Sequence, residues 1–299
     1  MARTATWTRI GKDVSTVKTI QDVLRESGLD YTVEKKPMFL GSGIQIPDKV
    51  ATVDAATDRV LGVVSKKYEI LQNADAFDFI DQVPGIQFER AGETKAGMVY
   101  VIGKLPGVTV LNDEFTPYVI FQTSHNGRYN IQATICPLRI VCQNQFAMSF
   151  KQMKNTIHLR HSSQLSTKIA QAQQLLIDAA QYMSEFKNTA EELAAIHITS
   201  RDSAYRIIDK FFDAARTAKD SDRQQKAMEE RKEFFIDCYD TIDNVNFKGT
   251  AWGLINAYTD YTTHRQRKKT ATAAESAFTS VTFDTAGMTK FIEMVRDNA

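Results

Sequence analysis

The 299-residue sequence predicts an α+β protein: an antiparallel β-sheet with a central hairpin in the N-terminal half, followed by a helical C-terminal half. Three observations carry this. Up to about residue 161 the apolar residues fall in short β-branched runs bounded by glycine and polar residues. Asn126-Gly127, the strongest short hairpin signal a sequence offers, separates two of those runs. From Ser162 onward the apolar spacing switches to the three-and-four period of a helix.

Taken in order, Ser15 followed by Val17, Ile20, Val23 and Leu24 predicts an amphipathic helix that stops near Gly28. Arg59–Ser65 and Gly97–Gly103 predict strands, and Asp75–Asp81 a short helix between them. Pro117–Thr123 and Tyr129–Ile135 flank Ser124-His-Asn-Gly-Arg128, which is expected to set His125 and Arg128 at an exposed tip. Leu165, Ile169, Leu175, Leu176, Ala179, Tyr182, Met183 and Phe186 predict a long helix, and residues 203–219, 222–239 and 249–263 three more. The charged run from Asp222 to Glu233 reads as a solvated helix face. Beyond His264 a small-residue linker precedes a closing segment, Thr289–Arg296. These boundaries imply a β-rich region over 1–161 and a helical region over 162–299, either separate or packed on the same sheet as one large domain.

A hydrophobic share of 43% is enough to bury a real core. With 37 basic against 36 acidic residues, affinity for a polyanion has to come from how charge is distributed. Three cysteines cannot make a disulfide framework and read as reduced core thiols. The first residues hold no apolar stretch of signal-peptide length, and no run of 18 uninterrupted apolar residues occurs, so a cytoplasmic protein with no membrane partner is expected.

Charge is unevenly placed. From Phe115 to Ile177 there is no Asp or Glu, where random placement would put roughly seven or eight, while Arg128, Arg139, Lys151, Lys154, Arg160 and Lys168 are all present. A polyanion is the functional explanation, because a carboxylate beside a phosphate repels it and each Lys or Arg releases a counterion. A sheet and buried helix that carry few charges of either sign are the structural one. Within the window, basic side chains are interleaved with Phe146 and Phe150, which offer stacking platforms, and with Gln143, Asn144, Gln145 and Asn155, which offer hydrogen bonds to sugars or base edges. The spacing of Phe146 and Phe150 also fits one core-facing helical pair. His158 and His161 lie three apart, but no carboxylate is near to complete a metal site, and His161 beside Arg160 reads better as a phosphate donor. Arg265, Arg267, Lys268 and Lys269 form a second basic group, either a helix C-terminal cluster or an arm on a phosphate backbone. No phosphate-binding loop, dinucleotide fingerprint or nucleophile elbow is present, so neither an enzyme nor a cofactor is expected.

Several segments resemble the phage/plasmid-like protein family, also called domain of unknown function 932. They are Gly28–Pro37, Val60–Asn73, Ser124–Gly127, Leu138–Asn144, Leu159–His161 and Gly249–Tyr258. The resemblance implies a mobile-element origin and brings no reaction with it. It marks Arg139, Cys142, Asn144, Arg160 and His161 as matching the recurrent positions.

These observations lead to an expected nucleic-acid-binding protein, favouring single-stranded DNA and assisting annealing or recombination, and homo-oligomeric. The binding set is His125, Arg128, Arg139, Asn144, Phe146, Lys151, Lys154, Arg160, His161, Arg265, Arg267, Lys268 and Lys269. The alternative is a host-directed or counter-defence factor that contacts a host protein or holds a small phosphorylated ligand around Arg139, Asn144, Arg160 and His161. A third reading makes Cys142 and His161 a nucleophile and base.

Overall fold

The computed structural model describes residues 8, 10–139, 144–148, 155–158, 165–214, 221–264, 274–275, 278–279, 282 and 285–299. It is an α+β fold with strands in the N-terminal half and helices in the C-terminal half. The strands are β1 (Lys12–Asp13), β2 (Val33–Phe39), β3 (Gln45–Asp54), β4 (Val60–Ser65), β5 (Gln87–Glu93), β6 (Met98–Lys104), β7 (Val108–Val110), β8 (Asp113–Ser124), β9 (Gln132–Arg139), β10 (Asn144–Gln145) and β11 (Thr156–His158). The helices are α1 (Ile20–Ser27), α2 (Asn73–Phe77), α3 (Leu165–Ala195), α4 (Arg201–Asp213), α5 (Asp222–Asp240), α6 (Ala251–His264) and α7 (Ala286–Asn298).

The first helix starts later than its pattern suggested. Ser15 is held in a turn by Asp13, and Thr19 makes the N-cap, accepting from Asp22 N–H at 3.2 Å; Gly28 ends the helix at φ 69°.

An eight-stranded antiparallel sheet runs β1-β5-β6-β8-β9-β10, with β7 on β8 and β11 on β9. Its centre is the long β8–β9 hairpin, in register from Phe115↔Arg139 to Gln122↔Gln132. Side chains alternate between two faces, and both faces are buried. Val99, Val101, Val119, Phe121, Ala133 and Ile135 point into the main core with Val23 and Leu24 of α1, Phe186 of α3 and Trp252 of α6. Tyr100, Ile102, Tyr118, Ile120, Cys136 and Leu138 form a second cluster, covered by Ile10 and by Phe278, whose ring lies 5.3 Å from that of Tyr100. The same main core thus joins strands of the first half to helices of the second.

A smaller antiparallel sheet, β2-β3-β4, stands beside the first. Its inward face, with Val33, Val50, Thr52 and Val64, is buried. The hairpin that β2 and β3 form, with its turn over 40–44, gave no distinct strand signal beyond its glycines, because prolines and lysines interrupt the apolar alternation.

An aromatic cluster seals the meeting of sheet and helices. Phe146, fully buried just after β10, stacks on Trp252 at 5.6 Å and meets Phe115 and Phe186 edge-on at 5.5 and 5.4 Å. Phe146→Ala is expected to cost about 3–5 kcal/mol, read as a lowered midpoint of guanidinium unfolding, whereas Phe146→Leu should cost far less.

Candidate functional site

The hairpin tip is where the sequence reading most needs correction. Residues 125–131 form a seven-residue loop in place of a tight turn, and His125 is not exposed but buried. The small sheet and the segment that follows it clamp the loop: Thr52 Oγ1 donates to His125 O at 2.7 Å, and Tyr68 OH donates to Ser124 O at 3.0 Å. Gly62 of β4 allows this approach, since a Cβ there would lie 2.6 Å from Asn126 Cα. Asn126 turns the other way and donates from Nδ2 to Ala96 O at 2.8 Å.

Beneath the loop, the His125 ring meets Asn73 Oδ1 through Nε2 at 2.8 Å and packs edge-on against Tyr31 at 5.9 Å. Asn73 Nδ2 donates to Leu29 O at 2.8 Å, so its Oδ1 is the accepting end and His125 Nε2 carries the proton. His125 Nδ1 is then a bare acceptor with no partner among the described residues. Burial pushes the His125 imidazolium down to a pKa of about 4, against a lesser opposing effect of Glu93. Tyr31 donates to Glu93 Oε2 at 3.3 Å, and Arg59 donates to the same oxygen at 3.0 Å while its guanidinium sits over the Tyr31 ring.

Around this network opens a cleft of about 740 Å³, walled by Arg59–Val63 on one side, Glu93–Gly97 on another, and Asn126 with Arg128 at the end. Arg128 is exposed. Gly97, at φ 81°, packs directly on the Asn126 amide, so the backbone of the β5–β6 turn is brought to the cleft wall. Arg59, Lys95, Gly62 and Gly97 were not among the sequence-predicted site residues. Their signal was weak: an isolated glycine in a strand pattern marks a close backbone approach, and Gly62 stands inside the Val60–Ser65 run.

Of the other predicted residues, Arg139, Asn144 and Phe146 lie away from this cleft. Arg139 is buried and bound by its own chain: Nη2 and Nε lie 2.6 and 2.8 Å from Asp113 Oδ2, Nη1 donates to Asn256 Oδ1 at 3.4 Å, and the guanidinium covers Phe247 at 5.2 Å. A phosphate-binding role for Arg139 and a stacking role for Phe146 are therefore corrected, because both side chains are enclosed in the protein. Asn144 pairs with Arg139 in the β9–β10 ladder. Cys142, Phe150, Lys151, Lys154, Arg160, His161, Arg265, Arg267, Lys268 and Lys269 lie outside the described residues.

The strand part of the acid-free window acquires a physical cause. Nearly every residue of β8 beyond Glu114 and of β9 is buried, on one face or the other, so unpaired carboxylates are excluded there whatever the protein binds. One carboxylate from outside the window, Asp113, neutralises one of its arginines.

Two predictions follow from these side chains. His125 is neutral when folded and has an ordinary pKa near 6.5 when unfolded, so the unfolded chain binds the extra proton. Stability is complete above about pH 6.5 and falls as pH drops toward about 4, by roughly 3 kcal/mol over the window. Urea midpoints of the wild type and His125→Gln should converge with falling pH, and parallel curves would disprove the assignment. Arg139→Met should cost about 3–5 kcal/mol by stranding Asp113, and Asp113→Leu in the same chain should restore most of it.

Neither curated proteins nor solved structures yield a match to this chain. A family model, Domain of unknown function (DUF932), matches residues 60–282, three quarters of the sequence. That span contains β4, the clamped hairpin loop, the Arg139–Asp113 pair and α6. The chain therefore belongs to the DUF932 family.

Proposed function

We propose that this chain binds nucleic acid, single-stranded DNA by preference, in the cleft between its two sheets. One observation carries the reading: Arg59, Lys95 and Arg128 line an open cleft whose acidic lining residue among the described residues, Glu93, is already engaged by Arg59 and Tyr31, while the Glu275 carboxylate accepts from the Lys95 backbone N–H at 2.9 Å. The local balance is positive, although the whole chain carries +1. Val60 and Val63, both more than half exposed or close to it, offer apolar contact at the rim.

The reading keeps Arg128 from the sequence-based set and adds Arg59 and Lys95. A role in annealing or recombination for a phage or plasmid, inside a bacterial host, suits a binder that grips the backbone and reads little sequence. Among the described residues no helix is long and apolar enough to cross a membrane.

The test is fluorescence anisotropy with a labelled oligothymidine. Binding should appear at low salt and weaken with a log–log slope of roughly −0.7 for each phosphate contact. Arg128→Ala should lower affinity for all sequences alike and make the slope shallower by about 0.7. Absence of binding at low salt would dispose of the proposal. The cleft volume also lies in the range of small-ligand sites, so a mononucleotide serves as competitor. Displacement by the mononucleotide at the same nucleotide concentration would replace the strand with a small phosphorylated ligand.

A further inference from the structure

We infer that a second cavity, in the helical half of the chain, is a binding site for a phosphate group. It measures about 640 Å³, within the range of small-ligand sites. Its walls are Ile198–Arg201 at the start of α4, Tyr239 and Asp240 at the end of α5, and Lys248 with Gly249. It shares no residue with the cleft between the sheets. Main-chain pairing fixes these walls. Ile198 N–H donates to Gly249 O and Ala251 N–H to Ile196 O, at 2.8 and 2.9 Å, which holds the loop before α4 against the turn before α6.

The carboxylate in this cavity is already engaged. Asp240 is the last residue of α5, where the helix dipole disfavours a negative charge, and donors compensate it. Arg201 and Tyr205 both donate to Oδ2, Tyr205 at 2.6 Å. Lys248 Nζ lies 3.4 Å from Oδ1 and donates to the Asp240 backbone O at 3.1 Å.

Several donors are left over. Two cations share the one lining carboxylate, and the Arg201 side chain, 66% exposed, gives it a single nitrogen. Ser200 Oγ caps α4 by accepting from Ser203 N–H at 3.1 Å, so the N–H groups of Arg201 and Asp202 have no acceptor among the described residues. Tyr239 adds a donor that does not belong to the helix end. It is 3% exposed, its oxygen accepts from Gly249 N–H at 3.3 Å, and its own hydrogen has no acceptor among the described residues. Burial pushes the Tyr239 phenol above its ordinary pKa, so it keeps that hydrogen. Asp202, in the same turn of α4, is exposed and lies outside the lining.

A helix end, two side-chain cations and a phenol thus present donors from different directions. A tetrahedral oxyanion accepts from several sides and is favoured at a helix N-terminus, so the ligand carries a phosphate group. That group belongs either to a small phosphorylated molecule or to a polynucleotide.

The inference is independent of the cleft reading, and its probe is inorganic phosphate, so the two fail separately. Calorimetric titration of the full chain with up to about 20 mM phosphate, at constant ionic strength, should show saturable binding. Arg201→Gln should weaken it at least about tenfold, and Tyr239→Phe by a smaller factor, each with an unchanged circular dichroism spectrum. Arg206→Gln, which removes an exposed cation of α4 outside the lining, should leave it unaltered, as should Arg128→Ala in the other cleft. No saturable binding, binding that Arg201→Gln leaves intact, or equal losses in Arg201→Gln and Arg206→Gln would overturn the inference. Labelled oligothymidine separates the two sources of phosphate. Its affinity should fall in Arg201→Gln if the site holds a strand and match the wild type if it holds a small molecule.

Discussion

Both faces of the β8–β9 hairpin lie under protein, and much else in this molecule follows from that burial. A strand with one wet face alternates apolar and polar residues. A strand covered twice has no place for an unpaired charge, since an ionised group there loses its hydration without compensation. Helices α1, α3 and α6 cover one side of the sheet; Ile10 and Phe278 cover the other. The chain must therefore pass around the sheet to seal both faces, which ties its two halves into a common core.

Polar groups retained within these layers find partners across the chain, although Gln122 Oε1 and His125 Nδ1 have none among the described residues. Arg139 meets Asp113 and Asn256, and His125 meets Asn73. These pairs join segments distant in sequence, and they coincide with the segments that resembled the family. Val60–Asn73 meets Ser124–Gly127 through Gly62, Tyr68 and Asn73, while Leu138–Asn144 meets Gly249–Tyr258 through Arg139 and Asn256. Several motif residues thus hold the fold together at its interior contacts. The cleft is a by-product of the first of these joints: clamping the hairpin loop against β4 leaves an opening between the sheets, with Arg59, Lys95 and Arg128 on its walls.

Most of the secondary structure was legible because it rests on local chemistry. Helices α3 to α6 and the β8–β9 hairpin follow from apolar spacing and from Asn126-Gly127. The β2–β3 hairpin was harder to read, since Pro37, Pro47 and the lysines around them disturb the alternation that marks a half-buried strand. The candidate site was less legible still. Arg128 was recovered as an exposed cation, whereas Arg59 and Lys95 lie 69 and 33 residues upstream of it and give no joint signal.

The sequence by itself determined the fold class, the order of strands and helices, and the exclusion of carboxylates from the middle of the chain, because periodicity, turn chemistry and local composition are properties of neighbouring residues. The tertiary structure decided which charges remain accessible. Arg128 and Arg139 are alike in sequence, yet one faces solvent and the other is enclosed by Asp113, Asn256 and Phe247. Accessibility depends on partners that arrive from 26 residues away in the case of Asp113 and 117 in the case of Asn256, and no local pattern encodes their arrival.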